Sequence, residues 1–154
     1  MPNFSGLPTI MPTGPTGRSA TALLNLGTLA FDGSGNEYRY VCAQAAISAL
    51  DSVTFNGSAT GYDAVRKIAA ANEFVLGVAT AAFATALPYG FIQTKGVVDT
   101  KVIDETAAGK VLVADDAVDG ALKLGEEAES LAGNRGAVCL ETGDQTAGSA
   151  VYLG

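Results

Sequence analysis

Apolar and polar positions alternate with period two along much of this chain, and Gly, Asn and Asp interrupt the alternation at short intervals. After the turn cluster Asp32-Gly-Ser-Gly-Asn36, Tyr38, Tyr40 and Cys42 alternate with Arg39 and Val41, which predicts a half-buried strand. The clearest stretch runs over residues 91–103. Ile92, Thr94, Val98, Thr100 and Val102 fall on one face and Gln93, Lys95, Asp99 and Lys101 on the other, with Gly96 where a bulge or bend would sit. Shorter runs at 53–55, 62–68, 74–80, 111–113, 121–124, 137–141 and 150–153 are each bounded by Gly, Asn or Asp. The pattern predicts a mainly β fold, a small β-sandwich or barrel of about eight short strands. Helix is the minority expectation: Val65, Ile68, Ala69 and Asn72 would share a helical face, and residues 126–132 allow a turn or two before Gly133.

The first two dozen residues differ in kind. Pro2, Pro8, Pro12 and Pro15 lie there with Gly6, Gly14 and Gly17, and Arg18 is the only charged side chain before Asp32. Prolines at this density exclude helix and central strand. The reading is an extended Pro/Gly-rich arm over residues 1–24, followed by a single β-rich domain over 25–154. A solvated linker would carry Ser, Glu and Lys, whereas this segment carries Phe4, Leu7, Ile10 and Met11. These four, with Arg18, are the candidate partner-binding residues. The arm has little to bury against itself, so it is expected on another surface, its own domain's or a neighbouring subunit's. It would be ordered only when docked, and removing residues 1–20 would then leave the domain's stability almost unchanged.

Length and charge narrow the function. A chain of 154 residues can bury enough surface to need no disulfide staple. Sixteen acids against nine bases give a net charge of −7. Residues 1–98 hold five of each, so the whole imbalance comes from residues 99–154. Arg66-Lys67 is the only adjacent basic pair, and such a molecule repels phosphate backbones, so no nucleic-acid partner is expected. Histidine and tryptophan are absent, which removes the usual general base near neutral pH, the commonest zinc ligand and every Ser-His or Cys-His nucleophile. No enzymatic activity, metal or cofactor is expected. Cys42 and Cys139 match no metal spacing and sit in apolar runs, as buried thiols do, with a cross-strand disulfide as the alternative. The first residues do not read as a secretory leader, which points to folding in a host cytoplasm. Residues 74–94 carry no charge, but Pro88 and a Leu-Pro-Tyr-Gly turn at 87–90 favour two buried strands over a membrane span.

Other motifs have plain readings. Asp115-Asp116-Ala-Val-Asp119 spells a D-D-x-x-D diphosphate motif, but between β-like runs and before Gly120 it reads as a solvated acidic turn. Glu126-Glu127-Ala-Glu129 sits in a polar run where carboxyls keep ordinary pKa values near 4, too low for a general acid at neutral pH. Of the five tyrosines only Tyr38 and Tyr40 adjoin a basic residue, the single Arg39, which is too little for the electrostatic funnel of a base-stacking platform.

Four segments in order, Phe74-Val-Leu-Gly-Val-Ala-Thr80, Tyr89-Gly-Phe-Ile-Gln-Thr-Lys-Gly-Val97, Thr106-Ala-Ala-Gly-Lys-Val-Leu-Val-Ala114 and Ala137-Val-Cys-Leu-Glu141, together resemble the capsid decoration (cement) proteins of tailed bacteriophages. The resemblance implies a β-rich decoration domain with an extended arm, often a homotrimer, on the outer surface of the virion. Its partners would be the major capsid protein and further copies of itself, and its role would be to bridge neighbouring capsomers. The alternative, from a different class, is a small-ligand or glycan-binding β-domain of a larger phage or surface assembly.

Overall fold

The alternation becomes strands. The computed structural model describes residues 11, 14–56, 61–71, 73–103, 105–125, 137–140, 143–144 and 148–154, and every regular element among them is a strand. In chain order these are β1 (Arg18–Ser19), β2 (Leu29–Phe31), β3 (Glu37–Cys42), β4 (Ser52–Phe55), β5 (Val65–Lys67), β6 (Gly77–Val78), β7 (Tyr89–Thr100), β8 (Glu105–Thr106), β9 (Val111–Ala114), β10 (Leu122–Leu124), β11 (Ala137–Cys139), β12 (Gly143–Asp144) and β13 (Ser149–Leu153). Eleven form one curled antiparallel sheet whose main path is β10-β9-β11-β13-β7-β6-β4-β5, while β8 and β12 pair separately. The mainly β expectation holds. The strands outnumber the eight expected because β1, β2, β8 and β12, each two or three residues long, fall outside the runs that the alternation marks.

The 12-residue β7 is the spine. Its first half pairs with β3, from Glu37 opposite Lys95 to Cys42 opposite Tyr89, and also meets β1 and β6. Its second half pairs with β13, from Leu153 opposite Gly96 to Ser149 opposite Thr100. The changeover falls at Gly96, as the sequence suggests. Glu37 opposes Lys95 and Tyr38 opposes Gln93, so Thr94 is an extra residue, a bulge that raises the local twist. Two residues on, Gly96 takes φ +97°, and a Cβ there would lie 2.1 Å from Asn36 Oδ1. The face assignment for this stretch needs one correction. Gln93 is buried, because its amide turns in to donate to the carbonyls of Lys95 (3.2 Å) and Val97 (2.8 Å) across the bend. The strand also starts earlier than expected: the tight turn lies at Ala84–Leu87, closed by Leu87 N–H to Ala84 C=O at 2.9 Å, so Tyr89 is already in the ladder.

The first half of the sheet is buried on both faces. Val41, Val53, Val65, Phe83 and Ile92 pack together on one side. Tyr38, Tyr40, Phe91 and Ala30 pack on the other, with Tyr40 and Phe91 edge to face at 5.1 Å. A third cluster, including Val98, Leu112, Leu122, Cys139, Val151 and Leu153, lies under the second half. Val65 enters the core from β5, so the helical spacing around residues 65–69 yields a strand, its pattern being equally compatible with a short buried extended run. The second helical candidate, 126–132, lies outside the described residues. The two cysteines are not joined by a disulfide: Cys139 lies in the core and Cys42 is half-buried.

Polar groups close the seams. Asp51 is buried, accepts the Ser48 N–H at 2.8 Å and pairs with the Lys101 ammonium. Ser52 Oγ and Thr100 Oγ1 bond at 2.9 Å, tying β4 to β7. Between them Leu50 adopts φ +69°, unusual for a branched side chain. It is held there by its N–H to Ala79 and by its carbonyl, which accepts from Lys101 N–H and Thr100 Oγ1. The D-D-x-x-D stretch folds as a turn, but it is not wholly solvated as expected: Asp115 is buried, its Oδ2 accepting the N–H groups of Ala117 (2.9 Å) and Val118 (2.6 Å), while Asp116 meets Lys123 at 3.2 Å and Asp119 meets Lys67 at 2.9 Å. At the β2–β3 turn, Asp32 accepts from Ser34 N–H, Asn36 N–H, Asn36 Nδ2 and Tyr38 OH.

Two outcomes follow from these seams. Gly96→Ala should cost about 2–4 kcal/mol, from the left-handed φ and the collision with Asn36. Gly33→Ala, with open space around the added methyl, should be nearly neutral in the same thermal unfolding experiment. The second concerns acid. Burial alone would raise the Asp32 and Glu73 carboxyls, but their donors, Asn36, Ser34 and Tyr38 for Asp32 and Arg66, Ala69 and Ala70 for Glu73, hold both below the usual carboxylate range. A carboxyl with a depressed folded pKa stabilises above its unfolded pKa, about 4, and loses that contribution as pH falls through the folded value. The unfolding midpoint should therefore fall below about pH 4, and fall less steeply in Asp32→Ala.

Candidate docking surface

The sequence places its partner-binding candidates in the N-terminal segment. Phe4, Leu7 and Ile10 lie outside the described residues, whereas Met11 and Arg18 are brought to the same region, the first half of β7. Met11 and Leu24 pack against the Tyr38–Tyr40–Phe91 cluster. The Leu23 N–H donates to Tyr40 OH at 3.1 Å, so this buried tyrosine keeps a partner for its polar end. Gly14 closes a turn on Met11 C=O at 2.9 Å, and the chain then enters β1, with Arg18 opposite Gly90 and Ser19 opposite Tyr89.

Arg18 has an unusual seat. Its guanidinium lies over the Phe83 ring, 3.9 Å from the centroid, and donates to the carbonyls of Gly17 (2.8 Å), Ala81 (2.7 Å) and Pro15 (3.3 Å). Pro15 C=O also accepts from Thr80 Oγ1 at 3.0 Å. The partners are dipoles and a ring face rather than a carboxylate, and burial lowers its pKa to about 10, which leaves it charged at neutral pH. Gly90 makes the seat possible, since a Cβ there would lie 2.6 Å from Arg18 Cδ. Phe83, Ala81 and Gly90 were not singled out from the sequence. The available signal was a glycine inside a strand pattern, which marks close approach by another chain segment.

Among the described residues no pocket opens, and no three Asp, Glu, Cys or His side chains gather as a metal site would require. The fold has a likeness among solved structures. No protein-family model matches the chain, and no curated protein matches it. The crystal structure of the head fiber gp8.5 N base of bacteriophage phi29 is similar in fold, with a TM-score of 0.56 over 76% of this chain and 92% of that one, at 10% sequence identity. At that identity the likeness is one of fold.

The packing of residues 14–24 replaces the expectation that stability is indifferent to residues 1–20. Their deletion removes the β1 pairing, the Arg18–Phe83 contact and the Met11 contact, and should cost about 2–4 kcal/mol. In calorimetry this is a fall of roughly 5–15 °C in the unfolding midpoint. An unchanged midpoint would show that the segment contributes nothing to the domain.

Proposed function

We propose that this chain is a structural, non-enzymatic protein of a tailed-phage virion that sits on the outer surface of the head and reinforces it by binding the major capsid protein across neighbouring capsomers, in association with copies of itself. The observation that carries the reading is the fold shared with a phage head fiber base. The chain's order of decoration-like segments and its lack of histidine support the same assignment. In this reading residues 1–10, with Phe4, Leu7 and Ile10, contact the shell. Arg18 anchors the segment to its own domain, because its Nη1 and Nη2 groups are already engaged by Gly17, Pro15 and Ala81.

Charge supports the placement. The acidic excess belongs wholly to residues 99–154, and a lattice of such copies is repelled by packaged DNA, so it faces outward. The near-neutral first segment then faces the shell and attaches without ion pairs. The test is to mix purified protein with expanded capsids that lack it and to sediment the particles. Stoichiometric co-sedimentation is expected, unchanged between about 0.05 and 0.5 M salt, where screening shortens the Debye length well below ~10 Å. No attachment, or micromolar salt-sensitive binding to DNA instead, would overturn the reading.

A further inference from the structure

Beside the cluster of Val41, Val53, Val65 and Ile92 runs a band of aromatic side chains that the docking surface above does not use. Phe55 and Tyr62 pack against that cluster and meet edge to face, 5.4 Å between ring centroids. Phe74 lies parallel to Phe55, with centroids 6.4 Å apart, and is 46% exposed. At the other end the Arg39 guanidinium lies over Tyr62, 5.7 Å from the ring centroid. A Cβ at Gly27 would come within 2.7 Å of Tyr62 Cδ2, so bare backbone rests against that ring, and Leu26 just before it is exposed. Single exposed apolar residues are ordinary, but three rings in contact that end in an exposed phenylalanine mark an interaction surface.

We infer that in the free protein residues 1–10 of the same chain dock along this band, and that the shell takes them from it. The docking stands apart from the capsid reading, whereas the transfer rests on it. Composition selects this occupant, since residues 1–10 hold Pro2, Pro8, Phe4, Leu7 and Ile10 and no charged side chain. Rows of aromatic rings receive proline-bearing segments, whose backbone is restricted before it binds. A charged partner would have to break existing pairs: Arg39 meets Glu37 at 3.6 Å and donates to Gly27 C=O at 3.1 Å, and Glu73, next to Phe74 in sequence, is bonded to Arg66. Reach selects it too. Met11 and Leu24 pack against the same cluster, and Gly27 lies three residues past Leu24, at most about 10 Å away. Residues 1–10 fully extended span about 33 Å, enough to run from the Met11 seat onto the rings. The covalent tether holds the segment near the band at an effective concentration of about millimolar, so no second molecule is needed.

The test of the docking uses the full chain without capsids, so its outcome is separate from that of the capsid reading. The sequence contains no tryptophan, so Phe4→Trp places a single fluorophore on the segment. Its emission should be shifted to the blue of free tryptophan and shielded from acrylamide. Adding Phe74→Ser, at an exposed position, should return the emission to that of tryptophan in water with an unaltered circular dichroism spectrum, whereas Val118→Ser, at a position 45% exposed, should leave it blue-shifted. Mixing the Phe4→Trp, Phe74→Ser chain with an excess of native protein, which is silent in this measurement, should not restore the blue shift. A water-like emission from Phe4→Trp alone, a blue shift that survives Phe74→Ser, or one restored by native copies would overturn docking within the chain. With capsids that bind the native protein, Phe74→Ser should attach roughly threefold or more tightly, because the segment is no longer held elsewhere. Attachment no tighter than native would overturn the transfer.

Discussion

One strand is hydrogen-bonded along its length to two different sets of partners, and the rest of the structure depends on that sharing. The first half of β7 belongs to β3, β1 and β6, and the second half belongs to β13. A straight strand would run both sets in one plane. The Thr94 bulge and the left-handed Gly96 turn the ladder between them, and the missing Cβ at Gly96 lets Asn36 sit against the bend. The bend leaves carbonyls that the ladder does not use, and the buried Gln93 amide supplies donors to two of them. Leu50, Asp51 and Ser52 then pin the far end of β7 to β4 with main-chain, hydroxyl and ion-pair contacts.

Burial on both faces follows. Where a sheet is covered on one side only, half of each strand can be polar. Here Tyr40 and Phe91 need cover opposite the face that holds Val41 and Ile92. The N-terminal segment packs against them with Met11 and Leu24 and adds a short strand to the edge. A proline-rich chain suits that task, since restricted backbone loses less entropy when it is laid on a surface.

Much of the fold was legible because alternation is a local property. The strands after residue 36 announce themselves by period and by their bounding turns, and Gly96 by its place within one. Sheet order was not legible, since β13 pairs with β7 across about fifty positions of sequence and no local pattern encodes that choice. The short strands β1, β2, β8 and β12 were missed because two or three residues outside a longer apolar run hold no period. Gln93 was misplaced because an amide can be buried once its donors find carbonyls, which alternation rules cannot anticipate. At the docking surface, proline density and the apolar anchors marked the segment. The seat of Arg18 on Phe83 arises from tertiary approach, hinted at only by Gly90. The shared fold at 10% identity follows the same logic, because pattern outlasts residue identity.

The position of β13 carries a consequence for synthesis. It lies between β11 and β7, so the main sheet is divided until residues 149–153 have left the ribosome. Until then β7 and β11 present open edges, and those edges are what a nascent chain exposes to neighbours on the same polysome. Such long-range closure is slow compared with hairpin formation. During that interval the acidic excess of residues 99–154 gives half-closed chains mutual repulsion.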